Sequence, residues 1–142
     1  MEADRRSTVL IAASVLLAGI CGCGTFSTGS VLQGTWQLVV SNPPPLLTSC
    51  VITFNHDGNV SGVSYYFDDK ATVTWNNPTN EVSVDGDQIH VSVMQFGQGF
   101  TFNGTLDTAT APTRASGKLD LDLSVANVDT SVLQGDATLV KQ

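Results

Sequence analysis

The chain has 142 residues, a formal net charge of −7 and only six Lys and Arg. Phosphate recognition needs a basic patch, so this charge balance excludes nucleic acid as a partner. Beyond residue 22 there are ten Asp and one Glu, a preference that points to turns rather than helix surfaces.

The chain opens with Met1 to Thr8, which carries Arg5 and Arg6, followed by the run Val9 to Ile20 (VLIAASVLLAGI) and Cys21-Gly22-Cys23-Gly24. A basic start, an apolar run of this length and small residues at its end are the parts of an export signal. The run falls short of the roughly 20 apolar residues that span a bilayer. Ile20-Cys21-Gly22-Cys23 resembles the lipobox of bacterial lipoproteins, with Cys21 where Ala, Ser, Thr or Val is usual. That resemblance implies that residues 1–22 are a lipoprotein signal peptide and that Cys23 carries the lipid. Residues 23–30 are then a short tether and 31–142 a single domain. Gly24 lacks the aspartate of inner-membrane retention, so the resemblance leans towards the outer membrane. An acylated Cys23 leaves Cys50 as the one thiol of the mature chain; a cut before Cys21 instead lets Cys23 and Cys50 pair.

From residue 31 onward no segment has a convincing 3.6-residue apolar period, and period-two alternation recurs. The expected strands are Leu32 to Val40, Cys50 to Phe54, Val60 to Phe67, Ala71 to Trp75, Glu81 to Val84, Gln88 to Phe96, Phe100 to Leu106, Gly117 to Val125 and Leu133 to Val140. In Gly117 to Val125, Leu119, Leu121, Leu123 and Val125 share one face, while Lys118, Asp120, Asp122 and Ser124 share the other. That is the pattern of a half-buried antiparallel strand.

Between the strands lie His56-Asp57-Gly58-Asn59, Asp68-Asp69-Lys70, Asn76-Asn77-Pro78-Thr79-Asn80, Asp85-Gly86-Asp87 and Gly97-Gln98-Gly99. These residues start turns or tolerate positive φ. Longer breaks fall at Ser41 to Pro45, whose Pro43-Pro44-Pro45 cannot enter a sheet, and at Asp107 to Arg114. VLQGTWQLV at 31–39 and VLQGDATLV at 132–140 share VLQG and the closing LV. No second segment between them repeats at the same offset, which argues against a duplicated domain. Both read as strands with Trp36 and Ala137 on their inner faces, a large ring set against a small methyl. The fold class expected is all-β: an antiparallel up-and-down β-barrel of about 8–9 strands, its first and last strands paired, which removes exposed edges.

Leu32-Gln33-Gly34-Thr35-Trp36-Gln37-Leu38-Val39 resembles the Gly-x-Trp strand that opens lipocalins and the shorter lipocalin-like domains of bacterial lipoproteins, the calycins. The resemblance implies that Gly34 and Trp36 begin the first strand, that the indole plugs the closed end, and that the calyx holds something apolar. The chain departs from the classical pattern. It has no Thr-Asp-Tyr between later strands, no arginine in the last strand to stack on Trp36 and no amphipathic helix before its end.

For a small apolar ligand the candidate lining is Trp36, Tyr66, Trp75, Phe96, Phe100 and Phe102. His56 reads as a turn residue and His90 as an outward strand residue, with no second ligand at metal-site spacing. Asn55 to Asn59 is a hairpin turn rather than a calcium loop, because its glycine comes too early and no glutamate follows at the required distance. Neither a nucleophile elbow nor paired glutamates are present. No enzyme activity, metal or cofactor is expected. The leading expectation is a lipid-anchored envelope protein whose barrel binds a small apolar ligand. The alternative is an interaction module, an inhibitor or assembly subunit, with a filled barrel and contacts through the proline loop and Asp107 to Arg114.

Overall fold

Alternating apolar and polar residues become nine strands, and they join into one curled sheet. The computed structural model describes residues 31–41, 47–67, 72–122 and 133–142. The strands are β1 (Gly34–Val40), β2 (Leu47–Phe54), β3 (Val60–Phe67), β4 (Thr72–Asn76), β5 (Thr79–Asp85), β6 (Gln88–Gln95), β7 (Gln98–Leu106), β8 (Arg114–Asp122) and β9 (Leu133–Lys141). Their order is β4-β3-β2-β1-β9-β8-β7-β6-β5. All eight ladders are antiparallel. Among the described residues no helix is long and apolar enough to cross a membrane.

The first and last strands pair, as expected, through five residue pairs from Trp36↔Lys141 to Val40↔Ala137. The register differs from the expectation that Trp36 would lie beside Ala137. Antiparallel pairing reverses one strand, so like positions of two similar segments cannot all face each other. The ladder centres on Leu38 opposite Leu139 and sets Trp36 against Lys141. Leu32 also lies outside the strand, in a single 3-10 turn at Val31–Leu32. The strand expected at Gly117 to Val125 begins three residues earlier, at Arg114, and residues 123–125 lie outside those described.

The Asn76 to Asn80 connection is a kink rather than a hairpin. Each antiparallel ladder reverses direction, so a closed ring of them needs an even number of members. Tracing directions through the eight ladders shows β4 and β5 running the same way, as two halves of one strand. The first half pairs with β3 and the second with β6. Pro78 causes the break, since it has no N–H for a ladder and is disfavoured in a central strand. Asn77 takes φ 48°, a left-handed conformation that Asn tolerates better than most residues. Its N–H still reaches Ser61 O at 2.9 Å, the last bond of the β3 side.

Beyond that bond the Asn80 side chain takes the place of a neighbouring strand. Its Oδ1 accepts from the Val60 N–H at 3.0 Å, and its Nδ2 donates to the carbonyls of Val60 at 3.1 Å and Pro78 at 2.9 Å. An amide offers donor and acceptor together, as a backbone does. One side chain thus ties the start of β5 to the start of β3 where the sheet edges meet.

All nine strands turn alternate residues inward onto one apolar core. It includes Leu38, Ile52, Val63, Trp75, Val84, Val91, Phe102, Leu119 and Leu139, one from each strand. The end of the sheet where β1 begins is sealed by Trp36. Its Nε1–H donates to the Leu32 carbonyl at 2.7 Å, and Phe54 meets its ring edge-on at 6.4 Å. From the last strand the Lys141 Nζ sits 5.6 Å from the indole centroid. A lysine therefore lies over Trp36 in the strand where the sequence offers no arginine. Gly34 adopts φ +122°, and a Cβ there would come within 3.2 Å of Lys141 Cε. Both the left-handed backbone and the close lysine stem favour glycine at this position.

Removing the amide tie should loosen the junction without disturbing the core. Asn80→Ala strands the backbone N–H and C=O of Val60 and should cost about 1–3 kcal/mol. The check is urea denaturation, with a lower midpoint and an unchanged slope; an unchanged midpoint would show that water replaces the amide freely.

Candidate functional site

The six aromatic residues expected to line a calyx separate into two groups. Trp36, Trp75, Phe100 and Phe102 point inward and are buried in the common core. Tyr66 and Phe96 lie on the outside, Phe96 with 90% of its surface exposed. Tyr66 is outward because Tyr65, its neighbour on β3, takes the inward position, and adjacent strand residues face opposite ways. Cys23, proposed as the lipid carrier, lies outside the described residues, as does Pro43-Pro44-Pro45.

Inside, Tyr65 stands edge-on to Trp75 at 5.0 Å and directly opposite Cys50 across the β2–β3 ladder. Apart from the tryptophan indoles, Cys50 and Tyr65 carry the only polar side-chain atoms among the described buried residues. The Tyr65 hydroxyl has no hydrogen-bond partner. Burial pushes the Cys50 thiol far above its ordinary range, and burial, then the nearby Cys50, does the same to the Tyr65 phenol. Both groups are neutral, and neither is an activated nucleophile.

The strand ends divide by direction into two rims. The Trp36 rim also holds the Asn55–Asn59 turn and the Asp107–Thr113 loop. In the turn, Asn55 Oδ1 accepts from the N–H groups of Asp57 and Asn59, each at 3.0 Å. His56 Nε2 meets Asp57 Oδ1 at 3.0 Å in solvent. In the loop, Asp107 accepts from the Thr113 hydroxyl at 2.7 Å and from the Thr113 and Thr108 N–H groups at 3.0 Å. These bonds, the Thr113 hydroxyl first, hold the exposed Asp107 carboxyl down to about 2. The strand ends Val40 and Leu47, which flank the proline loop, belong to the opposite rim. Of the two segments expected as contact sites, the Asp107 loop lies on the Trp36 rim, and Pro43-Pro44-Pro45 lies outside the described residues.

The second rim carries Phe96. Phe96 and Gly97 form the two-residue turn between β6 and β7, with φ of 53° and 76°. That geometry requires positive φ at both positions and is ordinarily met by Asn-Gly. Phenylalanine there is strained by about 1–2 kcal/mol, since its Cβ crowds the following carbonyl. Met94 beside it is 45% exposed. An open groove of about 500 Å³ runs between this turn and the kink, lined by Asn76 to Thr79 and Met94 to Gly97.

Among the described residues no group of three or more His, Cys, Asp or Glu is placed to hold a metal. The sequence offers Tyr65 beside Tyr66 as a pocket aromatic, but the six-residue lining takes Tyr66, and Asn80 and Lys141 are given no role. Period two from Val63 would have selected Tyr65 over Tyr66, whereas nothing local marks Asn80, whose partner lies twenty residues away.

The buried phenol and thiol have a consequence with a definite sign. Their folded-state pKa values lie above the unfolded values of about 10 and 8.5, so the unfolded chain loses these protons first as pH rises. Their stabilising contribution is complete below pH of about 8.5 and disappears above it. Tyr65→Phe should flatten the alkaline decline in urea midpoint while leaving neutral stability unchanged or slightly raised, since the hydroxyl has no partner to lose. An identical alkaline profile in the variant would show that the phenol ionises in the folded state. Compared with known proteins, the chain matches no family model, no curated protein and no solved structure.

Proposed function

We propose that this is a non-enzymatic, lipid-anchored envelope protein whose barrel is a filled scaffold presenting the Phe96 rim to a protein partner. The observation that carries the reading is Phe96 itself. A large apolar side chain, 90% exposed, occupies a turn position that its backbone conformation disfavours. Strain of that kind, with no packing gain, is characteristic of functional positions. An aromatic anchor beside a methionine and an open groove is the composition of an interaction hot spot. The filled interior supports the same reading, because Trp36, Phe54, Tyr65, Phe100 and Phe102 take up the core from within.

The lipoprotein part rests on the lipobox resemblance. In that reading the described domain begins at Val31, on the Trp36 rim and away from the Phe96 rim. The lipocalin-like part is supported by Gly34 and Trp36 at the first strand, with Leu32 and Lys141 enclosing the indole. A second reading, a small apolar ligand inside the calyx, is favoured by the Tyr65 hydroxyl. A buried hydroxyl left unpaired costs about 1–3 kcal/mol, and the polar end of a ligand would recover it. A compound that copurifies with the native protein and is lost in Tyr65→Phe would decide for that reading.

Phe96→Asn separates partner binding from folding because the two should move in opposite directions. Asparagine suits the turn, so stability should rise by about 1 kcal/mol. A photocrosslinker at position 96 should give a discrete protein adduct in intact cells, one at position 59 on the Trp36 rim should not, and Phe96→Asn should abolish partner capture by the otherwise unchanged chain. Equal adducts at both positions would overturn the proposal. In the same cells Cys23→Ala should shift the protein from the membrane to the soluble fraction; retention would remove the anchor.

A further inference from the structure

The outer face of β5 to β8 carries a hollow that neither the scaffold nor the partner reading uses. Register places Ser83, His90 and Asn103 in one row across β5, β6 and β7, and Gln88, Thr105 and Ser116 in the next across β6, β7 and β8. Near these rows Gly104 and Gly117 lie directly opposite each other. A Cβ on Gly117 would come within 2.0 Å of Asn103 O, and one on Gly104 within 2.7 Å of Ser116 O. The two backbones approach too closely for any side chain, and the open hollow of about 370 Å³ is lined by both glycines and by these six polar residues.

The lining selects its ligand by what it offers and what it lacks. Asn103 Oδ1 has no hydrogen to give, so the 2.6 Å contact with His90 is an Nδ1–H donation. Gln88 Nε2 donates to Thr105 Oγ1 at 3.2 Å and to Asp87 Oδ1 at 2.9 Å. The hydroxyls and amides of the lining both donate and accept. Asp85 is the charged residue of the lining, and no Lys or Arg belongs to it. Lys118, next in the row beside Asn103, is paired with Asp136, so the lining offers an anion no unpaired cation, in keeping with the net charge of −7. Ile89, the aliphatic member of the lining, is buried, so no large apolar side chain is held out to a ligand.

We propose that this hollow binds uncharged, hydroxyl-rich carbohydrate. The size lies within the usual range of small-molecule sites, and alternating donors and acceptors match the hydroxyls of a sugar ring.

The test is titration of the isotope-labelled protein with cellotetraose, maltotetraose and chitotetraose, each followed by amide NMR. At least one should shift the Asn103 side-chain amide and the backbone amides around Thr105 and Ser116, while the Ser64 and Thr74 surface stays still. Asn103→Ala with Thr105→Val should weaken binding about tenfold or more, the loss expected for two hydrogen bonds. Both residues are exposed, and an unchanged urea midpoint confirms an intact fold. No shift with any of the three at millimolar concentration would overturn the proposal. So would equal affinity in the double variant, or shifts produced by a neutral Gly-Ser peptide and by none of the sugars. Phe96→Asn should leave sugar binding intact, which separates this site from the partner rim.

Discussion

The ladder between β1 and β9 holds the molecule in its curled form. Leu38 and Leu139 meet there across a hundred residues of chain, and their pairing joins the β1–β4 meander to the β5–β9 meander. Without it the sheet has two extra free edges and the core is open on one side. Chain direction then imposes a second condition. With all ladders antiparallel, nine strands cannot alternate all the way round, so one connection must continue in the same direction. The chain meets that condition at Asn77-Pro78, where proline ends one ladder and the Asn80 amide bridges to Val60. The plug at the Trp36 rim depends on the same register, because pairing at Leu38 and Leu139 is what carries Lys141 to the face of the indole.

Period-two alternation is enough to read the all-β class and the strand count, and the two VLQG segments with the need to remove free edges point to the first-to-last pairing. Alternation works because each strand has one buried face, and a one-residue slip would expose an entire row. At Tyr65-Tyr66 two identical residues give no contrast of their own, and only the period carried on from Val63 turns Tyr65 inward; aromatic bulk alone favours neither. At Asn76 to Asn80 turn chemistry was recognised, but its outcome was not. A kink and a hairpin use the same residues and differ in chain direction, which only the remaining ladders determine. Lys141 was overlooked because an arginine was sought. A cation above a ring is attracted to its quadrupole whichever side chain carries it.

Stability and strain are distributed unevenly between the two rims. At the Trp36 rim every local choice agrees: glycine where φ is positive, an indole with its N–H satisfied, and an aspartate capping the 107–113 loop. Towards the other rim the agreement breaks down. Phe96 sits where asparagine belongs, and the Tyr65 hydroxyl, beside Trp75, is buried without a partner. Two such costs, of about 1–3 kcal/mol each, are a substantial share of the 5–15 kcal/mol by which domains are stable. Neither secures packing that an ordinary residue would fail to provide. Local conflicts of this kind are therefore gathered away from the plugged end of the fold.

The polar hollow follows from curvature rather than from strain. A sheet that closes on so few strands must bend sharply somewhere, and the Gly104–Gly117 pair lets β7 and β8 approach more closely than side chains would allow. Phe102 covers the inner side of that approach, since its ring would meet any Cβ on Gly104. Its outer side lies among polar residues that the core does not constrain. His90, Asn103 and Thr105 can therefore be exchanged without disturbing a single buried contact. The polar lining is thus set by surface residues, while the glycines beneath it are set by the close approach of β7 and β8.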